Sequence, residues 1–116
     1  RFVVAKESTV HENYKQRIIK AKDIDSVVTG RTHGHPVRGL RNQMTREYTK
    51  LEQEGKSFEE LEYLTLGALR KAVQEGDVMN GTVMAGQIAG MISKEQTCKE
   101  MIDEMMEQAK KLLNRE

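Results

Sequence analysis

Residues 76–90 constrain this chain more than any other part of its sequence. They read G-D-V-M-N-G-T-V-M-A-G-Q-I-A-G, with four glycines and two alanines between two strongly charged helical patterns. Glycine costs a helix interior about 1 kcal/mol relative to alanine. So many small residues indicate that the backbone approaches something closely. Two explanations stay open for this glycine-rich segment: a tight helix–helix contact or a turn that faces a ligand.

The composition leaves little material for an independent core. Only 37% of the 116 residues are hydrophobic and 4% are aromatic, while 32% are charged. A net charge of +1 argues against a nucleic-acid partner. No apolar run approaches the roughly 20 residues that span a bilayer, so we expect no membrane association. The single Cys98 fits a reducing cytoplasm, and the opening R-F-V-V-A suggests a fragment of a longer protein.

Capping boxes predict where three helices begin. Ser or Thr precedes Glu or Gln by three residues at residues 9–12, 57–60 and 93–96. The first helix is predicted to run to about Lys22. The last helix carries an apolar stripe of Met101, Ile102, Met105, Met106, Ala109, Leu112 and Leu113.

Between these helices the sequence predicts one strand and more helix. Residues 25–29 are short and β-branched, as in a strand. Pro36 suits the first turn of a helix that ends near Gly55. Its stripe is Val37, Leu40, Met44, Tyr48 and Leu51, and a further stripe from Phe58 to Val73 closes at Gly76. One strand cannot form a sheet, so either the domain is all-helical or the sheet lies in missing sequence.

Residues 31–42 form a second segment with chemically useful side chains. His33 and His35 could bind a metal, but no Asp, Glu or Cys follows at ligand spacing, so histidines that cap a helix or meet solvent are favoured and no metal site is predicted. Arg38 and Arg41 would share one face at a helix N-terminus, where cations need a compensating anion. That anion is a carboxylate of the same protein or a ligand. Nothing in the chain forms a nucleophile–base pair.

Two motifs together resemble a known family. G-H-P-V-R-G-L-R-N-Q (residues 34–43) and G-T-V-M-A-G-Q-I-A-G (residues 81–90) resemble the FMN-dependent enoyl-[acyl-carrier-protein] reductase II family. That family belongs to the nitronate monooxygenase, or 2-nitropropane dioxygenase, superfamily. The opening R-F-V-V-A-K-E-S resembles the stretch after its phosphate-binding Gly-Thr turn. The resemblance covers essentially the whole chain, in order, and concerns the C-terminal part of the family only.

This resemblance implies an α-rich C-terminal fragment of an α/β (TIM) barrel flavoprotein with a small inserted cap domain, mostly helical with one or two short strands. It implies a last barrel helix region over residues 1–25 and a cap or substrate domain over residues 26–81. Residues 82–116 would form the flavin-side loop and the helices that return to the barrel. The implied cofactors are FMN and NADH or NADPH, with the flavin carrying the redox chemistry.

The resemblance also implies site residues. Thr82 falls at the Ser/Thr position of the family's G-[ST]-x-x-A-G-Q run, on the flavin and substrate side, where small neighbours keep the approach open. These cofactor- or substrate-side residues are Thr82, Gly81, Ala85, Gly86 and Gln87. His35, Arg38, Arg41 and Asn42 match the cap motif, in which structural and catalytic roles both stay open. The family's catalytic histidine lies on earlier strands, so we expect no catalytic residue here and an inactive isolated chain.

The implied activity is NAD(P)H-dependent reduction of trans-2-enoyl thioesters in bacterial fatty-acid synthesis. An acidic acyl carrier protein would then favour the basic cluster of Arg31, Arg38, Arg41 and Arg46. A small-molecule substrate is the alternative partner, and the sequence leaves a homodimer open. The second hypothesis is a nitronate monooxygenase on the same scaffold. The third, from another class, is a free-standing helical interaction module.

Overall fold

The computed structural model describes residues 1–114. Within them, five α-helices accompany one pair of strands and three short 3-10 turns. The helices are α1 (Glu12–Ile19), α2 (Gln43–Gln53), α3 (Phe58–Thr65), α4 (Ala68–Val73) and α5 (Cys98–Leu113). The strands are β1 (Ser26–Thr29) and β2 (Val37–Leu40), and the 3-10 turns are Phe2–Val4, Arg31–His33 and Gln87–Met91. The chain is therefore mostly helical with two short strands, as predicted.

The two strands form an antiparallel hairpin. Ser26 pairs with Leu40 at one end and Thr29 with Val37 at the other. The predicted helix from Pro36 is therefore wrong in its first turn, because residues 37–40 pair with β1 instead of coiling. The helix proper begins at Gln43, where the Asn42 side chain accepts the Thr45 amide hydrogen and caps it.

Two hydrophobic clusters make up the core. The larger one joins α1, β2, α4 and the glycine-rich segment, and its buried members are Val4, Tyr14, Ile18, Ala21, Leu40, Ala72, Val83 and Ala89. The smaller one joins α2 to α3 through Met44, Tyr48 and Leu61. Because only three buried residues form it, α2 and α3 depend on further contacts for their position. These include the partly buried Leu51 and Leu64 and the hydrogen bonds of the Asn42 side chain to residues 78 and 81.

Two of the three predicted helix starts are wrong. His11, not Thr9, caps α1: its Nδ1 accepts the Asn13 amide hydrogen at 3.0 Å. That helix ends at Ile19 rather than near Lys22. Likewise Thr97, not Ser93, caps α5 by accepting the Glu100 amide hydrogen. In both cases a second hydrogen-bonding side chain lies a few residues further along, and tertiary contacts select it.

The remaining helix predictions hold with one correction. Ser57 and Glu60 form the predicted capping box of α3. Gly55 follows the last turn of α2 with φ of +79°, a conformation that favours glycine. The stripe from Phe58 to Val73 is not one helix, however. The chain extends at Leu66 and turns at Gly67, with φ of +73°, so α3 and α4 are separate helices.

No helix of the described residues is both long and apolar enough to cross a membrane. Residues 115–116 of the predicted region 82–116 lie outside the described residues. The three region boundaries stay predictions.

Candidate functional site

The glycines of the glycine-rich segment face different surroundings. A Cβ on Gly81 would lie 2.6 Å from a backbone carbonyl oxygen, and Cβ atoms on Gly76 and Gly90 would also overlap protein atoms. Among residues 1–114, and apart from Gly86 itself and its two chain neighbours, no heavy atom lies within 4 Å of the Cβ position of Gly86. Close packing therefore explains Gly76, Gly81 and Gly90. Only Gly86 leaves its surface open to a ligand.

Backbone pairing holds the middle of this segment against β2. The Leu40 amide donates to the Val83 carbonyl at 2.9 Å, and Gly39 and Met84 form an antiparallel bridge. A Cβ on Gly39 would lie 2.8 Å from the Val83 carbonyl oxygen. Gly39 thus allows a third extended strand-like segment to approach the hairpin closely.

Helix α1 fixes the segment from its other side. The Tyr14 hydroxyl donates to the Met84 carbonyl at 2.7 Å. Burial raises the pKa of Tyr14, so this hydroxyl keeps its proton and its hydrogen bond at neutral pH. One residue further on, the buried Lys15 ammonium meets the Glu95 carboxylate at 3.1 Å. These two adjacent side chains therefore fix positions on both sides of the Gln87–Met91 turn.

An apolar cavity of about 230 Å³ lies between the hairpin, helices α2, α3 and α4, and residues 82–84. We call it the apolar cavity. Its lining is Val27, Thr29, His35, Val37, Gly39, Met44, Thr45, Tyr48, Phe58, Thr65, Leu69, Thr82, Val83 and Met84. Its volume is below the roughly 300–1,000 Å³ of pockets for drug-sized ligands, so it suits a thin apolar chain and not a flavin ring.

Among the described residues, no Asp, Glu, Lys or Arg side chain lines the apolar cavity. Thr82 is half-buried, its amide donates to the Ala68 carbonyl at 2.9 Å, and it contributes to the lining. Burial, with the charge of Glu52 as a smaller cause, raises the pKa of Tyr48. Its hydroxyl therefore stays neutral near physiological pH. An apolar group can therefore enter this space without removing a charged protein side chain from water.

Asn42 has a structural role. Its side-chain amide donates to the Val78 carbonyl at 2.8 Å and to the Gly81 carbonyl at 2.7 Å. Its side-chain oxygen accepts the Thr45 amide hydrogen at 3.0 Å. Asn42 is only 3% exposed. One buried amide thus joins the start of α2 to the residues just before Thr82.

The two arginines of the cap motif do not share a helix face. Arg38 lies on β2 and donates to the Ser26 hydroxyl at 2.9 Å. Arg41 precedes the cap of α2 and is exposed. The predicted conflict with a helix dipole is therefore absent for Arg38, while Arg41 stays beside the N-terminus of α2.

The two histidines pack around an aromatic ring. The His35 and Phe58 ring centroids are 4.8 Å apart, and those of His33 and Phe58 are 6.1 Å apart. His35 is exposed and also lines the apolar cavity. Within residues 1–114, no group of three or more His, Cys, Asp or Glu side chains could hold a metal ion.

Of the predicted site residues, the structure brings only Thr82 and His35 together at the apolar cavity. Gly81 is buried against α4, Ala85 packs on the larger core cluster, and Gly86 and Gln87 are exposed beyond them. Sequence reasoning missed Tyr14 and the cavity-lining Leu69. Both residues fall at the helical spacing of apolar core positions, and this spacing does not predict a hydrogen bond or a cavity.

Comparison with known proteins identifies the family. The family model of nitronate monooxygenase matches residues 1–108. The chain is 25% identical to a probable nitronate monooxygenase of Staphylococcus saprophyticus, over 98% of this chain and 32% of that protein. It is 23% identical to a probable nitronate monooxygenase of Bacillus subtilis, over 92% of this chain and 31% of that protein.

A solved structure of FabK from Thermotoga maritima is similar over 97% of this chain and 36% of that one, with 40% identity and a TM-score of 0.91. The chain belongs to the nitronate monooxygenase family. It spans about a third of the length of the relatives it matches. The fold is therefore that of an α-rich part of an α/β-barrel flavoprotein.

Within the glycine-rich segment, Gly86 is the glycine whose surface is open to a cofactor such as FMN. The exposed backbone at Gly86 presents no side chain, and the neighbouring Gln87 side chain is exposed. A flat ring needs such a bare surface. The remainder of the FMN site would come from outside this chain.

Proposed function

We propose that the full-length protein is an FMN-dependent enoyl thioester reductase that uses NADH or NADPH and acts in fatty-acid synthesis. The observation that carries the proposal is the apolar cavity, whose lining includes Thr82 and Met84, a few residues before the open backbone of Gly86 in the sequence. A small cavity with no acidic, Lys or Arg side chain in its lining, beside a flavin surface, suits a substrate with an apolar chain and a reactive end. The similarity to FabK and the two motifs support the same activity.

The residues of this chain bind and orient the substrate. The apolar cavity would hold the acyl chain away from water, and the Thr82 hydroxyl would offer a hydrogen bond at the polar end. Gly86 and Gln87 would lie on the flavin side. Bound FMN would supply the hydride for the β-carbon of the enoyl thioester. The groups that transfer protons would come from the rest of the protein.

The test is an anaerobic experiment on the full-length protein. We expect NADH or NADPH to bleach the flavin absorbance and trans-2-octenoyl N-acetylcysteamine thioester to restore it in the absence of oxygen. If the flavin is not reduced by either nicotinamide, or if the thioester does not reoxidise it, the proposal is wrong.

The second candidate function is nitronate oxidation. The names of both curated relatives favour it. It predicts oxygen uptake with an alkyl nitronate and no nicotinamide, together with no turnover of the enoyl thioester. A free-standing helical interaction module is the weaker hypothesis, because the chain matches about a third of larger proteins in one continuous stretch.

Narrowing the apolar cavity is expected to shorten the accepted chain. Leu69 lines the cavity and is 42% exposed, so Leu69→Trp can add bulk without breaking the core. We expect KM for a ten-carbon enoyl thioester to rise about tenfold, since one or two lost methylene contacts are worth roughly 1–2 kcal/mol, while KM for a four-carbon thioester changes little.

The matched control is Leu66→Trp. Leu66 is the more exposed residue and does not line the apolar cavity. Steady-state kinetics with both chain lengths on both variants is the measurement. A Leu69→Trp enzyme with unaltered chain-length preference would show that the cavity does not hold the acyl chain.

A further inference from the structure

An open groove of about 340 Å³ runs along helix α2 beside β1. We call it the cationic groove. Its lining is Val27, Arg41, Thr45, Arg46, Thr49, Lys50 and Gln53. Five of these seven residues lie on α2, where their spacing of four residues places them along one face of the helix.

The positive charges of the cationic groove have no acidic partner. Within residues 1–114, no carboxylate oxygen lies within 4.0 Å of the side-chain nitrogens of Arg41, Arg46 or Lys50. Asp25 is hydrogen-bonded to Arg41 through its backbone carbonyl, which accepts the Arg41 amide hydrogen. The Asp25 carboxylate accepts the Lys22 amide hydrogen instead and lies 4.0 Å from the Arg17 guanidinium. On a chain whose net charge is only +1, this groove is a local surplus of positive charge.

The arrangement of charges along the cationic groove indicates which kind of partner would bind there. Arg46 and Lys50 lie four residues apart on α2, about 6 Å along the helix axis at 1.5 Å per residue, and Arg41 lies before the start of the helix, so the three charges are spread along a line. A single phosphate is held by donors that converge on one point. A row of carboxylates on a helix repeats every three or four residues, which matches a charged line of this length. An acidic helix of another protein is thus the complementary partner.

We propose that the cationic groove docks the acidic carrier protein that delivers the enoyl thioester. Val27 and Thr45 line both the cationic groove and the apolar cavity, so a docked carrier lies next to the space for its acyl chain. The identity of the carrier rests on the proposed function, whereas the affinity of the groove for an acidic helical protein rests only on the charges that line it. Of the four arginines in the basic cluster expected from the sequence, Arg41 and Arg46 line the groove, and Arg31 and Arg38 do not.

The test measures binding and turnover separately in the full-length flavoprotein. The double variant Arg46→Glu/Lys50→Glu is compared with Arg70→Glu/Lys71→Glu, whose exposed residues on α4 lie outside the groove. Fluorescently labelled acyl carrier protein without an acyl chain is titrated by anisotropy. We expect the groove variant to raise Kd by about tenfold and the control by less than twofold, with the wild-type Kd rising as salt is added.

Turnover supplies the second readout. KM for the carrier-bound enoyl thioester should rise with Kd in the groove variant, while KM for the N-acetylcysteamine thioester stays unchanged. An unaltered Kd, or an equal loss in both variants, refutes docking at this groove. If inorganic phosphate displaces the carrier and KM for a coenzyme A thioester rises as much, the groove is a phosphate site and the docking proposal falls. If the carrier binds as expected but no thioester is reduced, the proposed function fails and the docking site stands.

Discussion

Replacing Asn42 with alanine is expected to lower the free energy of unfolding by about 3–5 kcal/mol. The substitution removes a helix cap, worth roughly 1 kcal/mol, and leaves one buried and one part-buried carbonyl without a donor, which together cost about 2–4 kcal/mol. Those carbonyls belong to Val78 and Gly81. Because only three buried residues hold α2 to α3, the lost hydrogen bonds should free the start of α2 from the residues before Thr82. Urea denaturation of the full-length protein and hydrogen exchange at the α2 amides measure the effect.

Two further variants separate the contributions of Asn42. Asn42→Asp keeps the oxygen that accepts the Thr45 amide hydrogen but loses both amide donors, so the cap survives while the connection to residues 78–81 is lost. Asn80→Ala is the matched control, since Asn80 is exposed and bonds only to Asp77. We expect Asn42→Asp to retain protection in the first turn of α2. Equal stability of Asn42→Ala and Asn80→Ala would contradict the buried connection.

Gly81→Ala and Gly86→Ala are expected to have opposite effects. In Gly81→Ala the new methyl carbon would lie 2.6, 2.7 and 2.8 Å from backbone atoms of Asp77, Ala72 and Ala68. Backbone cannot yield as a flexible side chain can, so we expect a loss of about 3 kcal/mol or more, the upper end for overpacking. Gly86 has extended backbone angles, φ of −83° and ψ of 178°, that alanine adopts freely. Gly86→Ala should therefore keep or slightly raise stability, by about 0.4–1 kcal/mol.

The affinity for FMN gives a second test of the Gly86→Ala variant. If the flavin lies on the open backbone of Gly86, the added methyl group should raise Kd for FMN about tenfold, roughly 1.4 kcal/mol, while the protein stays folded. Flavin fluorescence after removal and re-addition of FMN gives Kd, and thermal denaturation of the flavin-free protein gives stability. Wild-type FMN affinity in a stable Gly86→Ala protein would remove this surface from the flavin site.

The parts of the fold that sequence predicted well are those decided by neighbouring residues. Ser57 and Glu60 cap α3 through hydrogen bonds only three residues apart, and Gly55 ends α2 through its own backbone conformation. The error at residues 37–40 has the opposite origin. Val37 and Leu40 continue a helical stripe, but they pair with β1 and with residues 83–85, which are distant in the chain. The spacing of apolar residues does not show which distant segment of the chain will pair with them in the folded protein.

The candidate site divides in the same way. The motif around Thr82 drew attention to a segment that contributes Thr82, Val83 and Met84 to the lining of the apolar cavity, and its role as a site stays a prediction. The apolar cavity was not predicted, since a space between the hairpin, α2, α3 and α4 follows from how these elements pack and not from any one of them. The role of Asn42 needed the same information. Its cap is local, but its two carbonyl partners lie 36 and 39 residues away.

The hydrogen bond between the Asn42 side chain and the Gly81 carbonyl brings the two ends of residues 42–81 within 2.7 Å of each other. Beyond it, β2 and residues 83–85 continue side by side. The whole excursion through α2, α3 and α4 is therefore a closed module whose two junctions meet. Such a module can lengthen, shorten or be exchanged between homologues without displacing residues 82–90. A chimera that transplants residues 42–81 from a relative replaces six of the fourteen residues that line the apolar cavity, so it should shift chain-length preference toward that of the relative while leaving the redox partner unchanged.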